Sequence, residues 1–160
     1  MKLIDMHSHW GTRRGYTLRS AEELALQKAT WNSEPTYHSE DEMAAYFRQS
    51  GAQVILDFGF TKFISLGEAR EVHDYGFATQ RAHPQEILGH WIHIDPHTGT
   101  EGVRELRRCI DAAPGFIGFA VNGSGSGPAT DPAWAPFYEL CIEAKIPALV
   151  FVATTGLGAG

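Results

Sequence analysis

Two histidines stand one residue apart near the start of the chain, in Ile4-Asp5-Met6-His7-Ser8-His9. In a strand, residues two apart project to the same face. Both imidazoles can therefore meet one ion without bending the backbone, and neutral imidazole suits zinc, iron or manganese. A second polar group, His93, Asp95 and His97, alternates at the end of a later apolar run, with Pro96 turning the chain. His93 is a candidate substrate contact, whereas Asp95 and His97 also fit a simple turn before a helix. Asp57 and Asn122 close two further apolar runs, each able to orient a ligand or to cap the next segment. Trp10, Arg13, Arg14 and Tyr16 come directly after the histidine pair. Arg13 or Arg14 can pair bidentately with a substrate carboxylate while Trp10 covers an unsaturated ring; the plainer reading is a solvated basic loop.

The elements that must hold these residues alternate between strand and helix. Apolar runs predict strands at about residues 2–8, 53–58, 87–94, 116–121 and 147–152. Capping-box spacings, Ser20-x-x-Glu23 and Ser39-x-x-Glu42, open helices to about residues 30 and 50, with Gly51 as a stop. A helix over 66–82 ends before His83-Pro84. Thr100 is the expected cap of the next helix, whose stripe of Val103, Leu106, Cys109 and Ile110 turns inward. Asp131-Pro132 opens the last. Five βα steps suit either an open parallel α/β sheet or the first five units of a (β/α)8 barrel, whose chemistry sits at the C-terminal strand ends. The length favours the open sheet and the histidine pair favours the barrel, with the chain stopping where another helix is due.

At 160 residues, with 43% hydrophobic and 20% charged, the composition excludes global disorder and suits one domain over 1–160. Thirteen basic against 19 acidic residues give a net charge of −6, with no basic run longer than a pair, so nucleic acid is not an expected partner. The sequence shows neither an apolar stretch of spanning length nor a signal-peptide core, and a soluble cytoplasmic protein is expected, with no membrane partner. Cys109 and Cys141 lack CxxC spacing and read as buried thiols. Gly123-Ser124-Gly125-Ser126-Gly127 lacks the Lys-Ser/Thr ending of a P-loop and reads as a loop at the site's rim.

The order of four motifs resembles the amidohydrolase superfamily, in the amidohydrolase-related branch of aminocarboxymuconate-semialdehyde and resorcylate decarboxylases. These are the opening Ile4 to His9 segment, Ile87-Leu88-Gly89-His90-Trp91, Gly115-Phe116-Ile117-Gly118 and the closing Thr154-Thr155-Gly156-Leu157-Gly158-Ala159-Gly160. The resemblance covers the chain but only the first half of such a protein. It implies a partial (β/α)8 barrel, a hydrolase or decarboxylase acting on a small carboxylated substrate, and one divalent ion, usually zinc, with His7 and His9 as its first two ligands. It also places Phe151 where the family carries a strand-five histidine, and phenylalanine cannot ligate. A homo-oligomer is expected. The alternatives are a non-catalytic partial barrel acting by association, and a small α/β protein binding an anion through its glycine loops.

Overall fold

A computed structural model describes residues 3–15, 20–58, 64–112, 114–122 and 128–151, without the side chains of Glu23, Asn122 and Phe151. Five strands, β1 (Leu3–His9), β2 (Ala52–Asp57), β3 (Ile87–His93), β4 (Phe116–Asn122) and β5 (Ala148–Phe151), form one sheet in which every neighbouring pair is parallel. Their spatial order, β1-β2-β3-β4-β5, is the order of the sequence. A doubly wound open sheet reverses direction at a switch point, whereas a (β/α) barrel adds each strand beside the last. The order is the barrel's.

The helices are α1 (Ala21–Trp31), α2 (Glu40–Ser50), α3 (Leu66–Ala82), α4 (Gly99–Asp111) and α5 (Ala135–Ala144). At α2 the Ser39 side chain accepts from the Glu42 amide, and the Glu42 carboxylate accepts from Ser39 in return. Gly51 closes that helix in the left-handed region at φ 68°, which a side chain would strain. Ser65 and Glu68 form the same reciprocal cap on α3. Thr100 is not a cap: the Asp95 carboxylate accepts from the His97 amide and starts a 3-10 turn, Pro96–Thr98, that runs into α4. Asp131 does likewise for Pro132–Trp134 ahead of α5.

Alternation along the strands sorts the core into two sides. Val54 and Leu56 of β2 pack with Trp10, Ala44, Phe47 and Tyr75. Ile92, Phe119 and Val121 pack with Leu106, Phe137 and Leu140 of the outer helices. Ile55, Trp91 and Ala120 form a separate cluster. By the period of two they share the inner face with Asp57 and His93. Gly118 on β4 allows close approach, since a Cβ there would stand 2.5 Å from the Pro147 carbonyl oxygen and 2.8 Å from the Trp91 ring. Both cysteines are free and buried.

Leu3, Ile4 and Met6 of β1 are exposed, as is Val150 of β5. Ile4 and Asp5, which the apolar pattern suggests are buried, are open because β1 is an edge strand, paired among the described residues with β2 alone. No helix among the described residues is long and apolar enough to cross a membrane.

Candidate metal centre at the strand ends

The parallel pairing of β1 with β2 sets His9 opposite Asp57, so the histidine pair and the last residue of β2 reach the same end of the sheet. One extra residue in β1 between Asp5 and Ser8 breaks the simple register just before His9. The Asp5 carboxylate accepts from the His7 amide at 3.0 Å across that irregularity. Asp57 then joins three histidines. Its Oδ2 accepts from His7 Nε2 at 2.7 Å, its Oδ1 from His93 Nε2 at 2.8 Å, and its backbone carbonyl from His9 Nδ1 at 3.1 Å.

Asp57 and His93 are buried, while the two histidines of β1 are exposed. The hydrogen bond to Asp57 lifts the His7 pKa above its ordinary value against the opposing pull of burial, with the charges of Asp57 and Asp5 adding to the rise. The His7 and His9 rings meet edge to face, centroids 5.1 Å apart. One ligand-capable atom from each of His7, His9 and Asp57 lies within 4.8 Å of the other two. Two imidazoles and a carboxylate at this spacing are a donor set for zinc, iron or manganese, and a histidine whose second nitrogen is held by a backbone carbonyl is oriented as metal ligands commonly are. The residues present fit a divalent ion.

The other expected site residues are placed differently. Trp10 is wholly buried, its ring stacked on Phe47 and its Nε1 donating to the Tyr75 hydroxyl at 2.9 Å, so it belongs to the core and not to a substrate face. Arg13 is exposed, with its guanidinium 5.0 Å over the Tyr37 ring, and Arg14 lies 4.2 Å over Tyr75. His93 is aimed at Asp57. Asp95 caps its turn, and His97 is exposed beside it. Phe151 pairs with Asn122 at the end of β5, by backbone register. Tyr16, the glycine run 123–127 and the closing segment 154–160 lie outside the described residues, as do the side chains of Phe151 and Asn122.

A second cluster joins the outer helices to the sheet, and the sequence reading did not identify it. His73 of α3 is hydrogen-bonded through Nδ1 to Glu105 of α4 at 2.8 Å and through Nε2 to the His93 carbonyl at 3.0 Å, with both side chains buried. Both ring nitrogens are thereby engaged. Glu105 also accepts from Arg108 Nη2 at 2.7 Å and from Arg70 Nε at 3.1 Å. Burial alone would push the Glu105 carboxyl up, but the hydrogen bonds and charges of His73 and Arg108 outweigh it and hold it well below the usual carboxylate range. Burial pushes the neighbouring Cys109 thiol far up, which removes it as a nucleophile. The readable signal was Glu105 and Cys109 four apart on the inward stripe of α4.

No family model matches the chain. Among solved structures, one described as amidohydrolase II superposes with a TM-score of 0.65 at 14% identity, covering 96% of this chain and 53% of that one. The 4-oxalomesaconate hydratase of Rhodopseudomonas palustris gives 0.62 at 22% identity, with the same 96% and 53%. The fold is about half of a (β/α) barrel of the kind these structures contain. A curated relative, the 2-keto-4-carboxy-3-hexenedioate hydratase of a Sphingobium species, is 39% identical over 59 residues, or 33% of this chain and 17% of its own length. The chain thus spans about half the length of these solved structures and a smaller share of the curated relative it matches. The resemblance drawn from the four motifs, and the partial barrel it implied, agree with these neighbours.

Proposed function

We propose that this chain carries the metal-binding half of an enzyme that adds water to, or hydrolyses, a small carboxylated substrate, with decarboxylation as the alternative outcome at the same site. The observation that carries the reading is the meeting of His7, His9, Asp57 and His93 at the C-terminal ends of three adjacent strands, where (β/α) barrels place their chemistry. Two similar proteins whose names make them hydratases support water chemistry.

His7 and His9 would hold one divalent ion, zinc being the first choice for this donor set. Such an ion, when bound, polarises a carbonyl or lowers the pKa of water. His93 keeps an Nε2 proton pointed at the Asp57 carboxylate, a pairing that can pass a proton between sheet and substrate. Arg13, exposed after β1, can leave the Tyr37 ring to clamp a substrate carboxylate in two hydrogen bonds.

The test is uptake of zinc, manganese or cobalt by the purified chain, followed by incubation of the loaded protein with unsaturated keto-carboxylates while their conjugated absorbance is monitored. The reading expects near one ion per chain and loss of absorbance, both abolished by His7→Ala or His9→Ala. Equal metal content in wild type and both variants overturns it. A second reading, association through the sheet edges, is favoured by the exposed Leu3, Ile4, Met6 and Val150; a monomer in sedimentation at high protein concentration contradicts that reading.

A further inference from the structure

Resting on the reading that the strand ends bind a divalent ion, we infer that Asp57 is itself a ligand, so that β2 supplies the third donor in a two-histidine, one-carboxylate centre.

The geometry of His7 leads to this assignment. An imidazole's N–H and its lone pair at that nitrogen lie along one direction, and His7 Nε2 is directed at Asp57 Oδ2, 2.7 Å away. An ion that takes this nitrogen stands close to that line and displaces the shared proton. The carboxylate then swings to one side of the line, toward the tetrahedral angle. Donors bonded to one tetrahedral zinc at about 2.0–2.2 Å lie about 3.3 Å apart, so the two atoms end about half an ångström farther apart than they now are.

The backbone fixes Asp57 for this role. Its Cα is the register partner of His9, and its carbonyl holds the His9 ring by Nδ1. The neutral tautomer of His9 therefore keeps its lone pair on Nε2. Asp57 thus orients one imidazole by its main chain and faces the other with its side chain. Its charge offsets half of a divalent cation's, and its burial shields the pair from water. Phe151, at the strand-five position, has no donor to offer. Two imidazoles and a carboxylate leave further positions of the ion open to water and substrate, as catalytic centres require.

Cobalt spectroscopy of the purified chain decides the matter. Asp57→Cys places a thiolate within similar reach, because the longer metal–sulfur bond compensates for the shorter side chain. The cobalt-loaded variant is expected to show a near-ultraviolet sulfur-to-cobalt charge-transfer band that wild type, with Cys109 and Cys141 buried, lacks. A folded variant that binds one cobalt without the band overturns the assignment. Asp57→Asn, which keeps the side chain's shape, is the second variant. It should bind cobalt at least about tenfold more weakly and with altered visible bands; an unchanged visible spectrum and affinity put residue 57 outside the coordination sphere. Wild type that binds no cobalt rejects the metal reading itself, a result distinct from either of these.

Discussion

The two clusters of histidine and carboxylate lie on opposite faces of one sheet, and each brings three donor-bearing side chains together. His73, Glu105 and Cys109 are all buried, and the carboxylate is engaged by the guanidinium groups of Arg70 and Arg108. Any cation entering there would meet fixed positive charge and a ring whose two nitrogens are already engaged. His7, His9 and Asp57 stand at the strand ends, with the two imidazoles exposed and the carboxylate below them. Residue types alone do not make a metal site. Charge around the carboxylate and access from solvent separate a lock that ties α3 and α4 to β3 from a centre that can admit an ion.

The difference can be broken from the lock's side. Glu105→Ala leaves His73 and Arg108 without their shared counter-charge and should cost about 3–5 kcal/mol in urea unfolding, the usual penalty for removing one partner of a buried pair. Loss under 1 kcal/mol would make the network ornamental. A smaller effect is expected where α3 crosses the sheet. A Cβ on Gly76 would stand 2.5 Å from Nε2 of the buried His90 ring, so Gly76→Ala should destabilise by about 1–3 kcal/mol, read as a lowered denaturant midpoint with an unchanged slope.

The same lock sets a pH dependence. Glu105 is held below its unfolded value, so its contribution is complete above about pH 4.5 and is lost progressively as the pH falls toward its folded value. Stability of wild type should therefore drop more steeply below pH 4.5 than that of Glu105→Gln; parallel curves contradict the ionised state argued for the cluster. The smallest effect belongs to the exposed pair beyond β3. His97→Ala should change stability by no more than about 0.5 kcal/mol and leave metal uptake unaltered, because Asp95 and His97 serve a turn.

Much of this arrangement was legible in the sequence. The runs read as strands over 53–58 and 87–94 marked β2 and β3 to within a residue, because parallel strands covered on both faces read as continuous apolar segments. That His7 and His9 can turn to one partner was legible from their spacing in a strand, and both reach Asp57. What the sequence could not convey was partnership across strands: Asp57 looked like any strand-end aspartate until β1 and β3 brought three histidines to it. Trp10 was misplaced for a related reason, since adjacency to His9 in the chain says nothing of the turn that carries its ring into the core beside Phe47. The start of α4 slipped because Asp95-Pro96 opens a 3-10 turn that runs straight into the helix at Gly99, ahead of Thr100.

Zinc-edge anomalous scattering from crystals of the chain grown with zinc tests the contrast between the two faces most directly. One peak is expected among His7, His9 and Asp57, within about 2.0–2.2 Å of a nitrogen from each histidine and an oxygen of the carboxylate. A peak at His73, Glu105 and Cys109, or full zinc occupancy at neither cluster, would contradict it.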